Sequence, residues 1–106
     1  MPRIISAREA ADLIADGATV TVSSSSGLGC PESVLAAIGA RFAETGHPKA
    51  ITTLHPIAAG DMSGIKGIDH IAHEGLLART ICGSYPSGPS AAEPPLIWQR
   101  IEEGSI

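Results

Sequence analysis

A chain of 106 residues is one small domain by length, and a 43% share of hydrophobic residues lets that domain bury a core. A net charge of −4 with no arginine-rich run argues against a nucleic-acid partner, and single Phe, Tyr and Trp residues are too few for base-stacking platforms. Charged residues reach only 17%, where about a quarter is usual, so part of the surface is expected to be covered.

No apolar run approaches the length of a membrane span, and residues 1–6 contain no apolar leader run. Cys30 and Cys82 lie far apart without a metal-ligand spacing, which fits a reducing compartment. A cytoplasmic location with no membrane partner is the expectation.

Ser6-Ala-Arg-Glu9 is a capping-box pattern, so a helix starts at residue 7. Ala7, Ala10, Leu13 and Ile14 recur at helical spacing, which predicts an amphipathic helix over 7–15, stopped by Asp16-Gly17. Thr19 to Val22 are β-branched between small polar residues and read as a strand over 19–22. Residues 23–29 have no bulky side chain except Leu28. Pro31 suits the first helical position and Glu32 the first turn, where the helix dipole favours negative charge. A helix over 31–44 then carries Val34, Leu35, Ile38 and Phe42 on one core stripe, with Arg41 and Glu44 off it and Gly46 as its stop.

A second strand is expected at 51–54 and a long loop rich in Gly, Ala and Pro over 55–67. A short helix over 68–73, a strand over 78–82, a Ser-, Gly- and Pro-rich loop over 83–95 and a last helix from Pro95 to Gly104 complete the order. Helix–strand alternation of this kind indicates an α/β fold with a mainly parallel sheet and flanking helices. In such sheets ligands sit beyond the carboxyl ends of the strands. The three small-residue loops, 23–29, 55–61 and 83–90, all fall there.

The first of these loops is the best site candidate. Its backbone N–H groups lead into a helix start and can face an anion or a developing oxyanion, while small side chains let a ligand approach the main chain. Ser23, Ser24, Ser25, Ser26, Gly27 and Gly29 are the candidate substrate-binding residues. The plain alternative is a tightly packed βα connection whose serines bond to backbone.

The same stretch resembles the N-terminal signature of the family I CoA-transferases, the 3-oxoacid CoA-transferase type. That signature runs Asp-Gly, two free positions, three apolar residues, Gly-Gly-Phe, three free positions, Gly, one free position, Pro. Asp16, Gly17, Val20, Val22, Gly29 and Pro31 match without a gap. Ser23-Ser24-Ser25 stands where the family has Gly-Gly-Phe, and Thr21 departs mildly from the apolar run. Gly60-Asp61, Gly67-Ile68, the 72–77 stretch Ala-His-Glu-Gly-Leu-Leu and Cys82-Gly83 extend the likeness to the branch that fuses both halves in one chain, over about residues 4–101.

The resemblance implies transfer of coenzyme A between an acyl-CoA and a short-chain carboxylic acid. A glutamate attacks the thioester, giving a glutamyl-CoA intermediate, and main-chain amides stabilise the oxyanion. The family carries that nucleophile in its C-terminal half or a separate β subunit, within a Ser-Glu-Asn-Gly-type motif that is absent from these residues; Glu32 and Glu74 do not match it. The resemblance therefore implies residues 1–106 as an incomplete N-terminal portion of a single CoA-transferase domain, truncated, with no catalytic residue of its own. It implies no permanently bound cofactor, a CoA thioester as substrate and the missing half or β subunit as partner. An unpaired sheet edge adds the expectation of a homo-oligomer. A non-catalytic anion- or nucleotide-binding α/β module, which kept the frame and lost the chemistry, is the alternative.

Other groups suggest less. His70, His73 and Glu74 lie close in sequence, but His-x-x-His-Glu is not the zincin order and lacks a third ligand, so no metal is expected. His55 at a strand end suits either an active-site role or simple capping. Cys30 precedes a helix start, which can lower a thiol pKa, yet nothing else marks it as a nucleophile. Cys82 is expected to be buried.

Overall fold

The computed structural model describes residues 2–61, 64–83 and 95–106. Three strands, β1 (Thr19–Thr21), β2 (Ile51–His55) and β3 (Leu77–Cys82), pair in parallel in the order β1-β2-β3. Around them lie α1 (Ala7–Asp12), α2 (Glu32–Thr45), a 3-10 helix at Gly67–His70 and α3 (Leu96–Glu103). The architecture is the expected α/β one.

Burial along β2 alternates. Ile51, Thr53 and His55 are buried, while Leu54 is exposed. Successive strand side chains point to opposite faces, so one sheet face is covered and the other is open. The covered face supports a core of Ile51 and Leu77 with Leu35 and Ile38 of α2, Ile68 and Ile71 around the 3-10 helix, and Ile97 of α3. Thr53 Oγ1 donates to Thr80 Oγ1 at 3.0 Å, satisfying a hydroxyl inside that layer. Leu54 and Ile81, opposite each other in the register, share the open face at 44% and 43% exposure.

The capping box at the start of α1 is present: Glu9 N donates to Ser6 Oγ and Ser6 N to Glu9 Oε1, each at 3.1 Å. The helix ends at Asp12, three residues before the expected stop. Leu13, assigned to its apolar stripe, is 74% exposed. Arg41 of α2 explains the early end. Its Nη1 donates to the carbonyls of Ala11 and Ile14 at 2.9 and 2.8 Å, satisfying acceptors that the helix would otherwise have used.

In α2, Leu35 and Ile38 are buried and Val34 and Phe42 pack at the core margin, as the stripe requires. Its Gly46 cap adopts φ 75°. Gly39 crosses the 3-10 helix so closely that an added Cβ would collide with the His70 carbonyl oxygen.

The helix expected over 68–73 is only the four-residue 3-10 turn. After Ile71 the chain turns through His73 N→Ile71 O and Leu76 N→His73 O bonds into β3. Asp69 in that turn caps α3 from a distance, accepting from Leu96 N at 2.8 Å and Ile97 N at 3.0 Å. β3 starts one residue earlier than expected because its register slips: Ile51 faces Leu77, but Thr52 faces Arg79, leaving Ala78 as a bulge. Cys82, expected to be buried, is half-buried. The expected 83–90 loop lies outside the described residues except for Gly83.

Candidate functional site

Parallel pairing brings the carboxyl ends of the three strands, Thr21, His55 and Cys82, to one edge of the sheet. The exits of β2 and β3 converge there, since a Cβ added to Gly83 would come within 2.7 Å of the Pro56 carbonyl oxygen.

Val22 is buried and anchors the serine loop. Ser25 and Leu28 then exchange both amide bonds at 2.9 Å, closing a two-residue turn on Ser26 and Gly27. Ser26 sits at φ 53°, a conformation that favours glycine. Its carbonyl accepts from Gly60 N at 2.8 Å, so the turn leans on the second loop. Gly27 faces that loop too, where an added Cβ would lie 3.0 Å from Asp61 Oδ2 and 3.2 Å from Ile65 Cδ1. Among the described residues, the amides of Gly27 and Gly29 have no acceptor. Ser23, Ser25, Ser26 and Gly29 are exposed, whereas Ser24 and Gly27 are half-buried. The Ser24 hydroxyl oxygen is sealed from solvent without a partner among the described residues.

The second loop is closed on itself. Ile68 N donates to Ala59 O and Asp61 N to Ile65 O, and Asp61 Oδ1 accepts from Gly64 N and Ile65 N at 3.0 Å each. Gly67, at φ 56°, backs directly on the Ala59 carbonyl, where no side chain fits.

Glu32, in the first turn of α2, reaches this loop. Its Oε2 accepts from Lys66 N at 2.9 Å and its Oε1 from Gly67 N at 2.8 Å, with His70 Nε2 3.2 Å from Oε1. Burial alone pushes its pKa up, but the Gly67 and Lys66 amides and then His70 outweigh that, leaving the carboxyl below its ordinary range. Cys30 shows the opposite result. Burial, followed by the Glu32 charge, raises its thiol pKa and overrides any effect of the helix start. His55 is fully buried; its Nδ1 lies 3.1 Å from the Ile57 carbonyl oxygen, and its Nε2 has no partner among the described residues. His70 faces Glu32, and the described residues hold no cluster of three potential metal ligands.

Of the six candidate residues, Ser25, Ser26 and Gly27 therefore lie in one turn at the strand ends, with Ser23 and Ser24 leading into it from β1 and Gly29 just before the helix. Sequence reasoning read Glu32 only as a helix-start charge and overlooked Asp61 as the closure of the second loop. A carboxylate beside each of two glycine-rich loops was the available signal, because such loops leave amides in need of acceptors.

A parallel α/β sheet with small-residue loops at its carboxyl edge defines the class, and comparison with known proteins narrows it. No family model matches the chain. Over 79 residues, 74% of this chain and 15% of the relative, it is 43% identical to a caffeate CoA-transferase of Acetobacterium woodii. Over 92 residues, 85% of this chain and 17% of the relative, it is 30% identical to the acetate CoA-transferase YdiF of Escherichia coli strain K12. The acyl-CoA transferase YdiF of E. coli O157:H7 in its thioester complex with CoA matches 96% of this chain and 20% of that one, with TM-score 0.76 and 27% identity. Its apoenzyme matches 100% of this chain and 21% of that one, with TM-score 0.77. The chain resembles family I CoA-transferases in both sequence and fold, and it spans 15–17% of the length of the curated relatives it matches.

Proposed function

We propose that these residues form the N-terminal part of an acyl-CoA:carboxylate CoA-transferase of the acetate, 3-oxoacid or propionate type. The Ser26–Gly27 turn carries the reading: it sits at the carboxyl edge of the sheet with the amides of Gly27 and Gly29 unspent among the described residues, in a fold matched by a CoA-thioester complex. Ser23, Ser24, Ser25, Ser26, Gly27 and Gly29 line part of the acyl-CoA cleft. The carbonyl oxygen of a thioester is neutral and becomes anionic only as it is attacked, which suits donors placed before the charge develops. A resident anion suits the place less, because Asp61 puts a carboxylate against Gly27. That observation favours the transferase over an anion-binding module.

The attacking glutamate comes from the remainder of the enzyme, whether a C-terminal half or a β subunit. Glu32 does not serve, since both its oxygens already accept main-chain bonds. The CoA thioester is a substrate, no cofactor is permanently bound, and the setting is cytoplasmic short-chain acid metabolism. The open sheet face with Leu54 and Ile81, and the outer positions of β1 and β3 among the described strands, favour association between copies. Calorimetric titration with acetyl-CoA is expected to show binding to the 106-residue chain that phosphate does not compete away. Mass spectrometry is expected to show no thioester exchange by this chain alone. Turnover above background would refute the assignment of the nucleophile elsewhere, and a monodisperse monomer at high concentration would refute the association.

A further inference from the structure

A carboxylate in the first turn of a helix ordinarily serves its own helix, by dipole or by local capping. Glu32 does something else. It bonds amides 34 and 35 residues away, at the neck where the second loop closes. The loop touches the serine turn at two further points: Gly60 N bonds to Ser26 O, and Asp61 lies against Gly27. It is also anchored by the Ile68 N to Ala59 O bond.

We infer that Glu32 is the positioning residue of this cleft: its two oxygens hold the Lys66 and Gly67 amides and thereby seat residues 56–61 and 64–66 against the Ser26–Gly27 turn. Removing the carboxylate leaves the buried Gly67 amide without an acceptor, a state that costs more than the bond itself contributes. Glutamine supplies one acceptor oxygen where two are needed and turns an amino group toward the remaining N–H. The Ser26–Gly60 bond and the Asp61 contact with Gly27 then carry the seating without the clamp, and Gly27 loses a fixed wall. The seating of the loop stands apart from any ligand; its consequence for affinity rests on the CoA-thioester reading.

Charge makes the clamp sensitive to acid. The groups facing Glu32 are His70 from the 3-10 helix, the Cys30 thiol, which also feels Asp61, and Lys66 through its amide. The carboxyl is held below its ordinary range, so the clamp is complete above that range and is lost as pH falls through the folded-state value.

Amide-exchange NMR on the 106-residue chain tests this. In the wild type, Lys66 and Gly67 are expected to be protected at neutral pH and to lose protection only once pH falls below the ordinary carboxylate range. In Glu32→Gln their protection factors are expected to fall by about tenfold and to lose that pH dependence. The Ile51 amide, bonded to Leu76 O within the fold, is expected to stay unchanged and so reports an intact protein. Glu32→Ala is the stronger version, and Glu32→Gln decides if the alanine variant does not fold. Equal protection of Lys66 and Gly67 in wild type and Glu32→Gln overturns the clamp. In the binding arm, Glu32→Gln is expected to weaken acetyl-CoA by about tenfold. Unchanged affinity with lost protection overturns the positioning role. A wild type that binds no acetyl-CoA counts against the proposed function alone, and the exchange data still decide the seating of the loop.

Discussion

Ser26 occupies a left-handed conformation at φ 53°, inside a two-residue turn where glycine is the ordinary occupant. A side chain there costs about 1–2 kcal/mol, and the extra unfolded freedom of glycine returns roughly 0.5–1 kcal/mol of that. Ser26→Gly is therefore expected to stabilise the chain by about 0.5–1 kcal/mol in urea denaturation, and Ser26→Val to destabilise it. Loss of stability in Ser26→Gly would mean that the hydroxyl holds the turn. His55 poses a different question at the same scale. A carbonyl oxygen only accepts, so the 3.1 Å approach to Ile57 O requires the proton on Nδ1 and leaves Nε2 bare in a fully buried ring. Long-range 1H–15N spectra at pH 8 are expected to show Nδ1 protonated and Nε2 with the shift of an unprotonated nitrogen. The opposite tautomer would place a donor on Nε2 and contradict the bond to Ile57.

At the scale of elements, the helix crossing at Gly39 inverts a standard expectation. On propensity alone Gly39→Ala gains about 1 kcal/mol inside a 14-residue helix. A Cβ there meets the His70 carbonyl, and overpacking of that kind costs typically 1–3 kcal/mol. The collision is with backbone that also carries the Asp69 cap of α3, so it does not yield cheaply. Gly39→Ala is expected to destabilise by about 1–2 kcal/mol in urea denaturation and to shift the His70 resonances; a more stable variant would show that the two helices have room to part. Gly39 also marks the limit of reading elements from sequence. The Ser6–Glu9 box, the Val34–Phe42 stripe and the Gly46 stop act within a few residues, and each appears as expected. The end of α1 and the Ala78 bulge depend on Arg41 and on the slip between Ile51 and Thr52, partners far away in the chain. The site divides the same way. The small-residue loop was legible as a row, whereas the Glu32 clamp and the fold-back of Asp61 required knowing which amides needed acceptors.

Across the whole molecule, two carboxylates join segments distant in sequence, one after the strands and one before them. Beyond the strand ends Glu32 holds the second loop, and before β1 Asp16 accepts from Lys49 N at 2.9 Å with His47 Nδ1 at 3.0 Å. Gly17 N donates to Lys49 O beside it, so Asp16 fixes the turn that delivers the chain into β2. The hydrogen bond from His47 and then the Lys49 amide hold the Asp16 carboxyl below its ordinary range, as the amides and His70 hold Glu32. In the unfolded chain both groups revert to ordinary values and bind protons at higher pH than in the folded state. Stability then rises with pH through that interval and is fully present above the ordinary carboxylate range. As pH falls through the depressed folded-state values, the contribution disappears. These two carboxylates are expected to support the urea midpoint fully above the ordinary carboxylate range and to let it drop below that range, with little change in slope. Asp16→Asn combined with Glu32→Gln is expected to lower the midpoint at pH 7 and to flatten the acid limb, because neither amide titrates. An acid limb as steep in the double variant as in the wild type would place the pH dependence in other carboxylates and leave these two as ordinary surface acceptors.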